Sequence, residues 1–234
     1  MRGKYNEENG QTSIEHEGKI EIFIHRDYKP ANLAVGRPPD GLRSIFLLDW
    51  GLCRRYVNTK GQLLPARPVA PFRGTPRYAS PNALALKEQG RLDDMWSWLY
   101  TLIDLTVGQL PWDEGLPDDS HADEQVDYLR VEKAKAAKDA KQLLRGCPLE
   151  YVRLLKYLNS LKFADPPNYA RFRRVLHKVV SRKQLETLPL DWEPTSNLYP
   201  LMKQVPNASM VYTPPRKVED LEEDDYERSS KSFL

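Results

Sequence analysis

His25-Arg26-Asp27-Tyr28-Lys29-Pro30-Ala31-Asn32 concentrates three kinds of chemistry in eight residues. Asp27 brings a carboxylate that can accept or orient a hydroxyl proton. Lys29 brings a positive charge suited to a phosphate. Asn32, five positions after Asp27, brings an amide oxygen, a hard donor of the kind magnesium prefers. A His-Arg-Asp triplet alone arises often by chance. The pattern H-R-D-x-x-x-x-N is far more restrictive, and this stretch fits it at every position.

Downstream, Ala34-Val35 and Ser44 to Leu48 are strand candidates, separated by the turn-forming run Gly36-Arg37-Pro38-Pro39-Asp40-Gly41. Two strands and a turn would carry Asp49-Trp50-Gly51 back to the edge that holds Asn32. Taken alone, Asp-x-Gly is an ordinary strand-ending turn. Placed after residues 25–32, Asp49 becomes a carboxylate ligand for the same cation. Upstream, Ile20-Glu21-Ile22-Phe23-Ile24 reads as a short strand, and residues 1–19 read as mostly irregular. Residues 49–80 lack a sustained period and predict a long functional loop.

Beyond that loop the pattern turns helical. Ser80-Pro81 is an N-cap followed by proline at the first helical position. Arg91 to Val107 predicts a buried helix closed by Gly108. Ser120 to Arg145 has Asp123 and Glu124 in its first turn and lysines from Lys133 onward, an order that suits the helix dipole. That lysine-rich face at 133–145 reads as solvated. Pro148 to Leu161 and Tyr169 to Val180 repeat apolar residues at helical spacing.

Across 234 residues, Lys+Arg 35 stand against Asp+Glu 33, which argues against a generic nucleic-acid binder. Two cysteines, Cys53 and Cys147, form no disulfide framework and show no metal spacing. His16, His121 and His177 have no partner spacing either. The run Met95 to Leu110 contains Asp104 and is too short to span a bilayer. An intracellular protein without a nucleic-acid or membrane partner is the expectation, with the oligomeric state left open.

Phe72-Arg73-Gly74-Thr75-Pro76-Arg77-Tyr78-Ala79-Ser80-Pro81-Asn82 makes the reading specific. The chain resembles the protein kinase fold and, within it, the casein kinase 1 superfamily, which uses G-T-x-R-Y-A-S where most kinases have A-P-E. Its "RPVAPFRGTPRYAS", "GRLDDMWSWLYTLIDLTVGQLPW" and "YLNSLKFADPPNYARF" are similar to the tau-tubulin kinase branch. The likeness runs from about Phe23 to Val180, with a weaker echo at Asp191-Trp192-Glu193. It departs from the kinase pattern at Trp50, where phenylalanine is usual.

The resemblance implies a serine/threonine kinase that uses ATP and Mg2+ on a protein substrate. It implies Asp27, Lys29, Asn32 and Thr75 as the catalytic set, with Lys29, Asn32 and Asp49 at the nucleotide and Asn32 and Asp49 at the metal. Arg26 would tether the activation segment 49–82. Thr75 would bond Asp27 and Lys29, and Asp94 would hold the catalytic-loop backbone of residues 25–32. Arg73 and Arg77 would form an anion site for acidic or phosphorylated substrates; the alternative is two solvated arginines.

The expected fold is protein kinase-like (α+β), mainly the helical C-terminal lobe with short strands around the catalytic loop. The N-terminal β lobe is expected to be absent. No two glycines lie two apart, so G-x-G-x-x-G is lacking, and no V-A-I-K precedes His25. Thr12-Ser13-Ile14-Glu15-His16 only faintly resembles the end of the helix that precedes a catalytic loop. The expected organisation is an irregular segment 1–19, a C-lobe 20–187 and a mostly disordered proline-rich, acidic tail 188–234. An exposed apolar face is expected where a small lobe would pack; ATP binding is expected to need a completed cleft, and the chain without that lobe is expected to have little or no activity. The functional alternatives are a catalytically inactive pseudokinase that binds protein partners and a helical interaction module unrelated to phosphoryl transfer.

Overall fold

The computed structural model describes residues 4–6, 11–13, 22–37, 41–117 and 122–202. The chain divides into two units, Met1–Leu188 and Pro189–Leu234. The first unit is built on one helix, α2 (Arg91–Val107), numbered after the short α1 (Pro81–Leu84). Its start is set by Asp93, whose carboxylate accepts the Gly90 N–H at 2.7 Å and the Ser80 hydroxyl at 2.6 Å. Its end is set by Gly108, left-handed at φ 82°, a conformation that costs glycine no Cβ clash. Between them Leu92, Trp96, Leu99, Tyr100 and Ile103 recur at helical spacing and are all buried.

Around this axis pack α3 (Ala122–Lys138), α4 (Ala140–Leu143), α5 (Tyr151–Ser160) and α6 (Tyr169–Arg182). They contribute Leu129, Leu143, Leu154, Leu155, Leu158, Phe172, Val175 and Val179 to a single core. Edge-to-face pairs fix its aromatic geometry: Tyr100 with Trp112 at 4.9 Å and Trp98 with Phe172 at 5.5 Å between centroids.

Among the described residues the strands lie in three two-stranded antiparallel ribbons. β1 (Lys4–Asn6) pairs with β2 (Gln11–Ser13), β3 (Phe23–Ile24) with β6 (Arg54–Arg55), and β4 (Leu33–Val35) with β5 (Ile45–Leu47). A smaller cluster of Ile24, Tyr56 and Val57 lies beside the β3–β6 ribbon.

Several expectations need correction. Residues 1–19 contain the β1–β2 ribbon, with Tyr5 opposite Thr12, so Thr12-Ser13 is strand and not the end of a helix. The strand foreseen from Ile20 is only Phe23–Ile24; Ile20 and Glu21 lie outside the described residues. The expected loop 49–80 supplies β6, because Arg54 and Arg55 find backbone partners in Phe23 and Ile24 far off in sequence. The helix expected from Ser120 to Arg145 is broken at Asp139, whose carboxylate caps α4 through the Lys141 and Gln142 N–H groups; Ser120 is outside the described residues. Its lysine face is not uniformly solvated: Lys135, Lys138 and Lys141 are exposed, but Lys133 is buried. In the expected tail, residues 199–202 form the short helix α7 (Tyr199–Met202), and the acidic run 219–227 lies outside the described residues.

Leu99 is 0% exposed at the middle of α2. Leu99→Ala should lower unfolding free energy by about 3 kcal/mol, read from the urea midpoint at unchanged slope.

Candidate active site

Residues 25–32 are a loop with almost no regular structure of their own, ending in a 3-10 turn at Pro30–Asn32. Such a loop needs outside anchors for its backbone groups. The first turn of α2 provides them. Asp94 accepts the His25 N–H at 2.6 Å and the Arg26 N–H at 2.8 Å through separate carboxylate oxygens. Burial pushes this carboxyl above its usual range, against the effect of the two amides. Arg26 itself stands at φ 69°, a left-handed conformation that costs a side-chain-bearing residue energy unless its surroundings impose it.

From this anchored base the loop reaches outward. Arg26 donates from Nε to the Leu52 carbonyl at 2.6 Å and from Nη2 to the Cys53 carbonyl at 3.5 Å, which ties residues 52–53 to the loop. His25 accepts the Asp27 N–H on Nδ1 at 3.2 Å, which assigns its proton to Nε2, and Nε2 then donates to the Leu48 carbonyl at 2.9 Å. Trp50 stacks edge-on against His25 at 4.9 Å. The large ring at the position where phenylalanine was expected therefore packs on the loop.

Asp27 is 7% exposed and sits in a closed hydrogen-bonded triangle. Thr75 donates its hydroxyl to Asp27 Oδ1 at 2.7 Å, Lys29 Nζ lies 2.8 Å from Asp27 Oδ2, and Lys29 Nζ donates to Thr75 Oγ1 at 2.7 Å. Asn32 adds its amide nitrogen to the Asp27 carbonyl at 2.9 Å and to Oδ2 at 3.3 Å. Burial alone would raise the Asp27 carboxyl. The Lys29 ammonium and Thr75 hydroxyl outweigh it and hold the group below the usual carboxylate range.

Asp49 arrives by the β4–β5 ribbon. Leu33 pairs with Leu47, and the Leu48 N–H donates to the Asn32 carbonyl at 2.8 Å, so Asp49 follows immediately after the residue bonded to Asn32. It is exposed, left-handed at φ 57°, and accepts the Gly51 N–H at 3.3 Å. The Asn32 bonds above both use its amide nitrogen, so the amide oxygen retains its acceptor capacity. That oxygen and the exposed Asp49 carboxylate are a hard-donor pair of the kind Mg2+ takes alongside phosphate and water. A separate cavity of about 210 Å³ is lined by Tyr28, Trp50, Tyr56, Met95 and Trp98 among others, and by none of Asp27, Lys29, Asn32, Asp49 or Thr75.

The pairing of Arg73 and Arg77 as an anion site is not what the structure shows. Arg73 is exposed, but Arg77 is spent on internal partners. It bridges Asp104 at 3.0 Å and Asp113 at 2.6 Å and bonds the Tyr78 hydroxyl. Two carboxylates beside one guanidinium make that spot unattractive to another anion.

Other residues that shape the site carried little sequence signal. Glu88, 7% exposed, pairs with Arg67 and lies 3.4 Å from Arg54, which ties residues 54 and 67 to the chain just before α2. Burial alone would raise its carboxyl; Arg67 and Arg54 outweigh burial and hold it low. Gly74 stands at φ 108°, where an added Cβ would overlap the Arg26 carbonyl oxygen. The signal for Gly74 was its position next to Thr75. No comparable signal marked Glu88.

A family model described as the protein kinase domain matches residues 15–172. A probable serine/threonine-protein kinase of Dictyostelium discoideum is 38% identical over 176 residues, which is 75% of this chain and 34% of that protein. The chain thus spans about a third of that relative's length. Among the described residues no helix is long and apolar enough to cross a membrane.

Gly74→Ala should cost about 1–3 kcal/mol through the forced left-handed residue and its clash with the loop, measured by denaturant unfolding. Glu88→Gln tests the Arg67 and Arg54 pairs through pH. A carboxyl held low in the fold adds stability above its unfolded pKa, and that stability is lost as pH falls through the folded value. The variant should therefore melt below the natural chain at neutral pH, and the gap should close in acid.

Proposed function

The chain belongs to the protein kinase domain family, and from that premise we propose that it transfers the γ-phosphate of ATP to serine or threonine hydroxyls of a protein substrate. We assign it to the casein kinase 1 type, close to the tau-tubulin kinases, on the G-T-x-R-Y-A-S segment at Gly74–Ser80. One observation carries the reading: the buried Asp27 carboxylate held by Lys29 and Thr75 in a closed triangle.

Each side chain has a role that follows from its surroundings. Asp27, kept ionised, accepts the hydrogen bond of an incoming hydroxyl and orients the oxygen for attack. Its lowered pKa suits orientation and a late proton transfer more than early abstraction. Lys29, already beside that carboxylate, offers positive charge to the moving phosphoryl group. Thr75 fixes Asp27 and Lys29 relative to each other, which is the positioning on which phosphoryl transfer depends. Asn32 and Asp49 would hold magnesium, which supplies charge neutralisation on the ATP phosphates when bound.

A second reading is a catalytically silent binding protein of the same family. The exposed apolar surface of the β4–β5 ribbon and its neighbour supports it, with Ile45 at 52% and Phe46 and Trp50 at 41% exposure.

Two variants separate these readings. Asp49→Asn should weaken Mg-ATP binding at least about tenfold by calorimetric titration, one lost charged ligand being worth at least 1.4 kcal/mol. Asp27→Asn should bind Mg-ATP like the natural chain but lose about 10²–10⁴-fold in phosphate transfer to a panel of serine and threonine peptides. Transfer that survives Asp27→Asn would sink the catalytic assignment. Mg-ATP binding without transfer by the natural chain would favour the binding-protein reading.

A further inference from the structure

Lys133 is a buried amine that the phosphotransfer site does not use; burial and the nearby Arg77 push its pKa well below the usual lysine range, and Asp113 opposes them. It is 1% exposed, on the inward stripe Gln125, Leu129, Lys133 and Ala136 of α3. Its Nζ donates to the carbonyls of Pro76 at 2.9 Å and Ala79 at 2.7 Å. The same atom lies 4.6 Å from the Tyr100 ring centroid and 4.7 Å from that of Trp112. An ammonium in this place loses its water, and two carbonyls and two ring faces take over its solvation.

A leucine or methionine would fill this core position without any desolvation cost. What lysine adds is a pair of fixed donors, and both go to one short piece of chain. Pro76 and Ala79 bracket the 3-10 turn Pro76–Tyr78. Inside it the Tyr78 N–H donates to the Thr75 carbonyl and the Ala79 N–H to the Pro76 carbonyl. Trp112 Nε1 donates to the Arg77 carbonyl at 3.1 Å, so three carbonyls of this short stretch are held from the core. Thr75 is the residue immediately before the turn, and its hydroxyl is the bridge between Asp27 and Lys29.

We propose that Lys133 is a positioning residue for phosphoryl transfer, holding the Pro76–Tyr78 turn from α3 so that the Thr75 hydroxyl stays between Asp27 and Lys29. The proposal rests on the phosphotransfer reading above. Lys133 is buried and bonds the backbone carbonyls of Pro76 and Ala79, so it acts through the backbone of the turn. The charged groups around it are Arg77 and Asp113, which are paired with each other and anchor the same turn through the Arg77 side chain.

The test uses the full chain with Lys133→Met, which keeps an unbranched apolar stem one atom shorter and removes the donors, and Lys133→Arg, which keeps charge and donors. Amide hydrogen exchange is followed in residues 72–80 and, as a reference, in residues 95–103 of α2. Phosphate transfer is followed as kcat and as KM for ATP. Lys133→Met should raise exchange in 72–80 at least about tenfold with α2 unchanged, since each lost hydrogen bond to a charged group is worth about a factor of ten or more. It should also lower kcat at least about tenfold with KM for ATP within about twofold, and Lys133→Arg should recover part of both.

A folded Lys133→Met variant with unchanged exchange in 72–80 and unchanged kcat overturns the proposal. Exchange that rises equally in α2 also overturns it, because Lys133 would then be a core filler. If Lys133→Met does not fold, Lys133→Leu, another apolar side chain without a donor, is judged by the same two criteria. Absence of transfer by the natural chain overturns the phosphotransfer reading, and the exchange comparison alone then decides whether Lys133 holds the turn.

Discussion

The Asp94 carboxylate, with the His25 and Arg26 amides on its two oxygens, is the contact on which the candidate site depends. The loop around Asp27 has little secondary structure to stabilise it, and Arg26 is in a conformation that an isolated chain would avoid. A side chain from the first turn of α2 supplies what the loop lacks. It is short, so the loop cannot drift, and it is bidentate, so the loop cannot rotate. Once residues 25 and 26 are held, their own side chains extend the order. His25 reaches Leu48, and Arg26 reaches Leu52 and Cys53. One carboxylate thereby organises backbone on both sides of Asp49.

Charged groups in this protein divide by what surrounds them. Asp27 and Lys29 are close enough to neutralise each other, Asp27 buried and Lys29 partly accessible, and their third partner is a hydroxyl. Such a cluster holds a geometry while leaving capacity for a ligand. Arg77 has no such capacity, because Asp104, Asp113 and Tyr78 take up its donors. Arg73, four residues earlier, donates to the Phe72 carbonyl at 3.1 Å and remains exposed. Two arginines four residues apart thus have opposite fates, decided by acids that lie about thirty residues further along the chain.

The β4–β5 ribbon shows a similar division between local pattern and context. Its apolar residues are what strand formation favours, and its register sets Asp49 one residue beyond the Leu48 whose N–H bonds the Asn32 carbonyl. Ile45 and Phe46 nevertheless remain exposed, so the apolar run that makes the strand does not by itself say which face is covered.

Spacing within one segment was legible from the residues alone. His25 to Asn32, the helix from Arg91 to Gly108, and the turn between β4 and β5 are all governed by interactions over a few residues, which sequence patterns report directly. The likeness to kinases supplied the partners of Thr75 and Asp94, which no local pattern contains. What remained hidden was every contact that needs two distant segments to meet with a definite orientation. Lys133 sits among lysines that point to solvent, and only the stripe Leu129, Lys133, Ala136 hinted that it faces inward. Glu88 and Arg67 carry charge signs that fit dozens of possible pairs. A residue's chemistry and its local conformation are written in the chain; whether its charge meets water, a partner or a buried carbonyl is decided by packing, because burial and orientation are properties of the assembled core.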